Sequence, residues 1–397
     1  MVAAAPHAAG LPHSQELRSR MIVAGIRLTH FRNHTGSTLE FGSGINALLG
    51  DNGDGKTNVL EAISFLGLTK SFYAAADATV QQIGAEEFEV VGTLRGASGR
   101  QSVVRVAYSR ARAEKVYEVN GARAETLSSA IGRFPVVILS PENGGITAGG
   151  PAERRRFLDL VLSQISASYL KTLLEYRQVV RQRNRVLFDG RVRGSLNEEL
   201  MEVWDENLVA LGSALVERRR GFLGEFRTYM VRAYDEVAPG TERPDLAYLP
   251  GGFAGDPGGD TKAVLRGELR RRRSEELRRG STQVGPHRDD IGLTLNGIPV
   301  QEYASQGQHK TLLVALKVAE YHFVAERASE RPILLLDDLF SELDAHRAAR
   351  ILELLGGLGQ VIITATDERV FHEAVSWNGA NRRFRIERGT SRPIPAA

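Results

Sequence analysis

In ALLGDNGDGKTNVLEAI, Ala47 to Ile63, two glycines enclose a polar loop that is followed by Lys-Thr and then by apolar residues at helical spacing. Gly50, four residues, Gly55, Lys56 and Thr57 have the spacing of a phosphate loop. Glycines let successive backbone N–H groups turn toward phosphates, and the following helix points the positive end of its dipole at them. Ile45, Ala47, Leu48 and Leu49 read as a buried strand before the loop. Val59, Leu60, Ile63 and Leu66 read as one face of a helix after it. Gly50, Asn52, Gly53, Gly55, Lys56, Thr57 and Asn58 are therefore candidates to hold ATP. The Lys56 ammonium is expected to reach the β- and γ-phosphates and the Thr57 hydroxyl to ligate Mg²⁺.

Such a loop needs a carboxylate for the metal and a group to orient the attacking water. Ile333 to Leu336 are four apolar residues that end in Asp337-Asp338, the form of a buried strand delivering acids at its C-terminal end. Asp337 is the expected Mg²⁺ ligand, directly or through water, and Asp338 the general base. Further upstream, Ser305-Gln306-Gly307-Gln308 precedes a helix with Leu312, Leu313 and Leu316 turned inward. A hydroxyl and Gly amides at a helix N-terminus make a second anion site. In a chain that already has a phosphate loop, Ser305, Gly307 and Gln308 make sense as a cap on the γ-phosphate held by a second copy, which implies an ATP-dependent homodimer.

The chain has 397 residues, room for two or three lobes. No run approaches the ~20 apolar residues of a membrane helix, and no signal-peptide segment is present. With no cysteine there are neither disulfides nor thiolate metal sites, which makes the cytoplasm the default location. Residues 1–20 lack any period and are expected to be a disordered extension or to follow an upstream start codon. The formal charge is only +3, so the distribution of charge matters more than its sum. Seven of the 51 basic residues are Lys and the rest are Arg. Two Arg clusters, Arg154-Arg155-Arg156 and Arg270-Arg271-Arg272-Arg273, are candidate DNA contacts on charge and expected exposure.

Residues 21–126 are strand-rich and hold the phosphate loop, 127–280 turn to helical periodicity, and 281–397 return to alternating strands and helices. Trp204, Leu208, Leu211 and Leu215 recur on one helix face, and Gly280 closes an Arg-rich helix. The expected fold is α/β, a mixed sheet around the phosphate loop with an inserted, mainly helical second lobe. The long interval between loop and carboxylate strand shows no sustained heptads, so no long coiled coil is expected.

The order of phosphate loop, Ser-x-Gly-Gln segment, LLLDD strand, SELD loop and ITATD strand is similar to the ABC-type ATPase heads of the SMC and Rad50 class. From Met21 onward the chain more specifically resembles the RecF family of bacterial DNA replication and repair proteins, through LTHFRNH, GDNGDGKTNVLEAI, LSPENGGITAGGPAERRRFLDL, GPHRDD, ASQGQHKTLLVALK and LLLDDLFSELD. The resemblance implies a slow, DNA-dependent ATPase that dimerises on gapped DNA or single/double-strand junctions and works with RecO and RecR to assist RecA loading. It also implies that Arg32 and Asn33 touch nucleotide, Ser305 and Gly307 bind the partner's γ-phosphate, Asp344 lies across the dimer interface, and Thr366 occupies the switch position.

Two departures stand out. Lys70-Ser71-Phe72-Tyr73 replaces the family's usual Ser-His-Arg-Thr-like run. Asp51 and Asp54 put two carboxylates into an anion-binding loop and are expected to face solvent or Mg²⁺. GPHRDD, Gly285 to Asp290, reads as a structural turn with Arg288 near the nucleotide or the interface. A transporter ATP-binding subunit or another SMC-like machine is the competing assignment.

Overall fold

The computed structural model describes residues 21–72, 76–96, 99–252, 259–340, 345–371 and 374–395. Strands β1 (Ile22–Phe31), β2 (His34–Glu40) and β3 (Ile45–Leu49) lead into helix α1 (Lys56–Leu68). Strands β4 (Glu87–Arg95), β5 (Gln101–Ser109), β6 (Glu114–Val119), β7 (Ala122–Arg123) and β8 (Val136–Leu139) follow. Helices α2 (Gly144–Ala148), α3 (Pro151–Ile165), α4 (Ala167–Arg193), α5 (Glu198–Val237) and α6 (Thr261–Arg279) come next, with β9 (Pro244–Leu249) between the last two. The chain then forms β10 (Asp290–Leu295), β11 (Ile298–Pro299), α7 (Val300–Tyr303) and α8 (Gln306–Arg327). It ends in β12 (Ile333–Leu336), α9 (Ala345–Gly356), β13 (Val361–Ala365), β14 (Arg382–Glu387) and β15 (Thr390–Ile394).

Three sheets result. The central one has the order β15-β14-β3-β13-β12-β8; its neighbours pair in parallel except β14 with β15. An antiparallel sheet, β2-β1-β4-β5-β6-β7, lies on one side, and β9, β10 and β11 form a small antiparallel sheet. Every residue of β3, β8, β12 and β13 is buried, as a parallel strand covered on both faces requires. Alternation then divides them: Leu48, Ile138, Leu335 and Ile362 join the core that includes α1 and the antiparallel sheet. Ala47, Leu139, Leu336 and Ile363 join the core of α3, α4, α5 and α8. The helical lobe therefore shares one core with a face of the ATPase sheet.

The strand pairing divides the chain differently from the boundaries expected at residues 127 and 281. β8 lies beyond the first boundary but pairs with β12 at the edge of the central sheet. β10 lies beyond the second but pairs with β9 of the helical segment. Both pairings are between strands far apart in sequence, which local periodicity does not encode.

Helices α4 and α5 are 27 and 40 residues long, about 40 and 60 Å. Asn197 caps α5 by accepting the Leu200 N–H, with Glu198 and Glu199 in the first turn, and Gly280 at φ 68° closes α6. Between them Arg183 is fully buried, bonded to Glu276 (2.6 Å), Asp205 (2.8 Å) and Thr282 (2.8 Å). Glu276→Leu is expected to cost about 3–5 kcal/mol in urea unfolding followed by circular dichroism, because it leaves buried Arg183 with Asp205 as its one remaining carboxylate among the described residues. Adding Arg183→Met should recover part of that loss; no recovery would mean that the ion pair itself supplies the stability.

Candidate ATP site

The phosphate loop runs from the end of β3 to the start of α1. A Cβ on Gly50 would lie 2.3 Å from the Ile386 carbonyl oxygen; Gly55 adopts φ 108°, and a Cβ there would lie 2.4 Å from Asn33 Oδ1. Only glycine fits either place. Asn33 donates to the carbonyls of Gly53 (3.3 Å) and Asp54 (2.9 Å) and accepts from Asn58 (2.8 Å). His34, buried, donates from Nε2 to the Gly55 carbonyl at 3.1 Å. The turn between β1 and β2 therefore grips the loop. Asn52 and Gly53 are exposed at its apex.

Arg32 lies in the same turn, but its guanidinium is committed to both oxygens of buried Glu61 on α1 (2.8 Å each) and to the Thr79 carbonyl (3.0 Å). Asp54 is partly exposed, and its carboxylate is also held by the backbone. Its carboxylate accepts backbone N–H groups from Asp51 (2.8 Å) and Arg388 (3.2 Å), and its carbonyl accepts from Gly389 (2.8 Å). The Arg388 and Asp51 N–H bonds hold the Asp54 carboxyl below its ordinary pKa. It ties the loop to the β14–β15 turn. Asp51 is exposed.

Lys56 donates to the carbonyls of Gly50 (2.8 Å) and Asp51 (2.7 Å). Burial lowers its ammonium pKa, against the pull of Asp54, Asp338, Asp337 and Asp51. Thr57 Oγ1, in the first turn of α1, donates to Asp337 at 2.8 Å. Thr364 of β13 donates to Asp337 Oδ1 at 2.8 Å and accepts the Asp338 N–H at 2.9 Å. Burial raises the pKa of Asp337. Asp338 is exposed and takes φ 48°, which turns the chain out of β12. Loop, Lys, Thr and both acids meet because β3, β13 and β12 lie side by side.

The donor set fits Mg²⁺. A hydroxyl and a carboxylate adjoin where phosphates would lie, and among the described residues no group of three or more His, Asp or Glu forms a cage. Mg²⁺ takes a few protein oxygens and fills its octahedron with phosphate oxygens and waters.

The Ser-x-Gly-Gln segment is elsewhere on the surface. Ser305 and Gly307 are exposed, and Ser305 caps α8 by accepting the Gln308 N–H (3.2 Å) while Gln308 Oε1 accepts the Ser305 N–H (2.8 Å). Gln308 also donates to Glu242 at 2.7 Å, joining the segment to the helical lobe. Thr366 is exposed directly after β13. Asp344 lies outside the described residues, as does Tyr73.

The proposed DNA clusters need correction on exposure. Arg154 is buried, paired bidentately with Asp290 (2.6 and 2.9 Å). Arg155 is half-buried and donates to the Asp289 carbonyl, while Arg156 is exposed. Of the second cluster, Arg271 and Arg272 pair with Glu268, and Arg273 with Asp205. Arg270 is exposed without a carboxylate at ion-pair distance among the described residues. Partners up to 136 positions away neutralise these charges, and local composition does not reveal them.

GPHRDD is a structural turn in which Gly285, Pro286 and Asp289 are buried and Arg288 is exposed. Asp289 accepts from Arg219 (2.9 Å), Gly251 N–H (2.7 Å) and Tyr248. Arg288 bonds the Thr282 carbonyl rather than any loop residue. His287 donates from Nε2 to Thr282 O (3.2 Å) and accepts the Tyr176 hydroxyl at Nδ1 (2.7 Å), so it is neutral. Sequence reasoning missed Thr364 and His34. A hydroxyl two residues before Thr366 on an otherwise apolar strand, and a His beside Asn33, were the available signals.

The chain matches the family model for the RecF/RecN/SMC N-terminal domain over residues 22–388. It is 40% identical over 368 residues to the DNA replication and repair protein RecF of Salinibacter ruber, 91% of this chain and 89% of that one. It is 41% identical over 349 residues to RecF of Chloroherpeton thalassium, 86% and 94% of the two. A solved structure of the recombination mediator protein RecF with ATP, from the RecFOR pathway, superposes with a TM-score of 0.87 at 31% identity, covering 96% of this chain and all of that one. An Smc head domain from Pyrococcus furiosus shares the fold, with a TM-score of 0.55 at 16% identity.

Two outcomes are expected. Thr364→Val leaves the Asp338 N–H unpaired and frees Asp337, so ATP hydrolysis should fall about tenfold in a phosphate-release assay while ATP affinity changes little. An unchanged rate would remove Thr364 from the site. Burial lowers the His287 pKa from 6.5 to about 4. A base with a depressed folded-state pKa contributes stability that is present above its unfolded pKa and lost as pH falls from about 6.5 toward about 4, here up to about 3 kcal/mol. Urea midpoints across that window should fall for the native chain and fall less steeply in His287→Gln, where His34 and His322, whose pKa values burial also lowers, still contribute; parallel profiles would refute the assignment.

Proposed function

The chain belongs to the RecF family of DNA replication and repair proteins, and from that premise we propose that it is an ATP-gated clamp on DNA. It is an ABC-type ATPase of the SMC and Rad50 class, acts in DNA replication and repair, and binds ATP. Family membership implies DNA binding and a place in the RecFOR pathway.

One observation carries the finer reading. The phosphate loop, Lys56, Thr57, Asp337 and Asp338 converge at one end of the central sheet, while Ser305 and Gly307 stand exposed at the separate N-terminus of α8. One chain thus supplies two complementary half-sites, and two copies head to head would complete both. Lys56 neutralises the β- and γ-phosphates, and Thr57 and Asp337 hold Mg²⁺. The metal would supply charge neutralisation on the phosphate oxygens. Asp338 orients and deprotonates water. Ser305 and Gly307 reach the partner's γ-phosphate, Asp344 lies across the interface, and Thr366 sits at the switch position. Arg32 and Asn33 act on the nucleotide through the loop and Glu61. ATP closes the dimer on gapped or junction DNA, and slow hydrolysis opens it. RecO and RecR are its partners, and RecA is served indirectly. No described helix is long and apolar enough to cross a membrane, in keeping with work on cytoplasmic DNA.

The test is fluorescence anisotropy of gapped duplex DNA with and without ATP and Mg²⁺, using Asp338→Asn to slow hydrolysis. DNA affinity should rise at least about tenfold with ATP. Lys56→Ala and Ser305→Arg should each abolish that rise, and mass photometry should show loss of the dimer. An affinity indifferent to ATP would sink the clamp.

A further inference from the structure

Between the ATPase sheet and the helical lobe lies a cleft of about 1020 Å³, apart from the phosphate loop and the Ser-x-Gly-Gln segment. Lys70, Arg155, Arg156, Arg177 and Arg181 line it together with Glu142, Glu153 and Asp159. Asp159 does not balance them, because its carboxylate already accepts from buried Arg219 (2.8 Å), Tyr169 (2.7 Å) and Arg177 (2.9 Å). Lys70, Arg155, Arg156 and Arg181 have no carboxylate oxygen at ion-pair distance among the described residues. Two of these guanidinium groups rest on backbone carbonyls instead, Arg155 on Asp289 (2.6 Å) and Arg156 on Phe72 (3.3 Å). Burial depresses the pKa of Arg155. A semi-enclosed cleft in which cations outnumber carboxylates concentrates field and favours an anion. Arg forks match phosphate oxygens in particular. The volume suits a ligand of one to a few nucleotides and is too small for a duplex.

We propose that this cleft is a second phosphate-binding site, for a nucleotide-sized phosphate ester held by Lys70, Arg155 and Arg156. Such a ligand comes either from a free mononucleotide or from the 5′ end of a single strand, and both present the same chemistry.

The cleft is wired to both halves of the ATP site. Lys70 and Ser71 follow α1, which starts at Lys56 and carries its direction over about 20 Å. The Ser71 hydroxyl donates to Glu61, which also holds Arg32 beside loop-gripping Asn33. On the other wall, buried Lys317 belongs to α8, the helix that Ser305 caps, and is fixed by Glu320 at 2.8 Å. A ligand that pulls on Lys70 bears on the phosphate-loop helix.

Calorimetric titration of full-length protein in a Lys56→Ala background, which removes the phosphate-loop site, tests the proposal with three probes: thymidine monophosphate, 5′-phosphorylated trithymidylate and the same trinucleotide without the 5′-phosphate. At least one phosphorylated probe should bind saturably, with affinity falling about tenfold in Arg155→Gln and in Lys70→Gln. Loss of binding without the 5′-phosphate assigns a phosphate site; tighter binding of the phosphorylated trinucleotide than of the mononucleotide then assigns a strand end, and equal binding of the two assigns a free nucleotide. In the otherwise native chain, Ser71→Ala should leave probe binding intact and abolish its effect on ATP affinity. Absence of saturable binding, or binding unmoved in variants whose circular dichroism melts match the parent, overturns the site. Arg155 touches buried Asp289, but Lys70 is exposed, so its variant keeps the test valid if Arg155→Gln fails to fold.

Discussion

The contact between Thr57 and Asp337 is the constraint on which the rest of the structure depends. It joins the first turn of α1 to the end of β12, 280 positions later, with β13 and its Thr364 alongside. Three unrelated stretches of chain must therefore arrive within hydrogen-bond distance of one buried carboxylate. Burial disfavours the ionised form, and two hydroxyl donors and the nearby Lys56 ammonium oppose that penalty. A charge held in this balance is a suitable seat for a dication, because a metal relieves the desolvation that the protein has left only partly compensated.

A sheet that delivers residues to one edge must be rigid, and its rigidity comes from being covered twice. Alternate residues of β3, β12 and β13 enter two separate cores, one closed by α1 and the antiparallel sheet, the other by α3, α5 and α8. The helical lobe is thus part of the scaffold of the ATP site. The Arg219–Asp159–Asp289 cluster extends the same logic into polar chemistry, pairing largely buried charges from α3, α5 and the turn before β10.

What was legible in the sequence was what is local. The phosphate loop, the apolar strand ending in two acids and the cap of α8 each occupy fewer than about twenty residues, and their chemistry is written in spacing. The α/β class and the helical insertion followed from changes of period. Distant pairing was not legible. β8 belongs to a sheet whose other strands lie on either side of it in sequence, and β9 is a short run without a recognisable alternation until β10 covers it. Arg154 illustrates the same limit in charge: ERRR suggests a solvated basic face, yet Asp290 turns its first Arg inward. Thr364 showed only as a lone hydroxyl on an apolar strand, which does not reveal the carboxylate it will bond.

The gripping of the phosphate loop from outside explains why acids are tolerated within it. An anion-binding loop with Asp51 and Asp54 would repel phosphate if both carboxylates faced the ligand. Asp54 is instead consumed by the N–H groups of Asp51 and Arg388, so its charge is spent on holding the loop to the β14–β15 turn. Asn33 and His34 hold the same loop from the β1–β2 turn through carbonyls of Gly53, Asp54 and Gly55. These donors hold the carbonyls of Gly53, Asp54 and Gly55 on the side of the flanking turn. The loop's conformation is therefore imposed by the two turns that flank it, and its glycines permit what those turns demand.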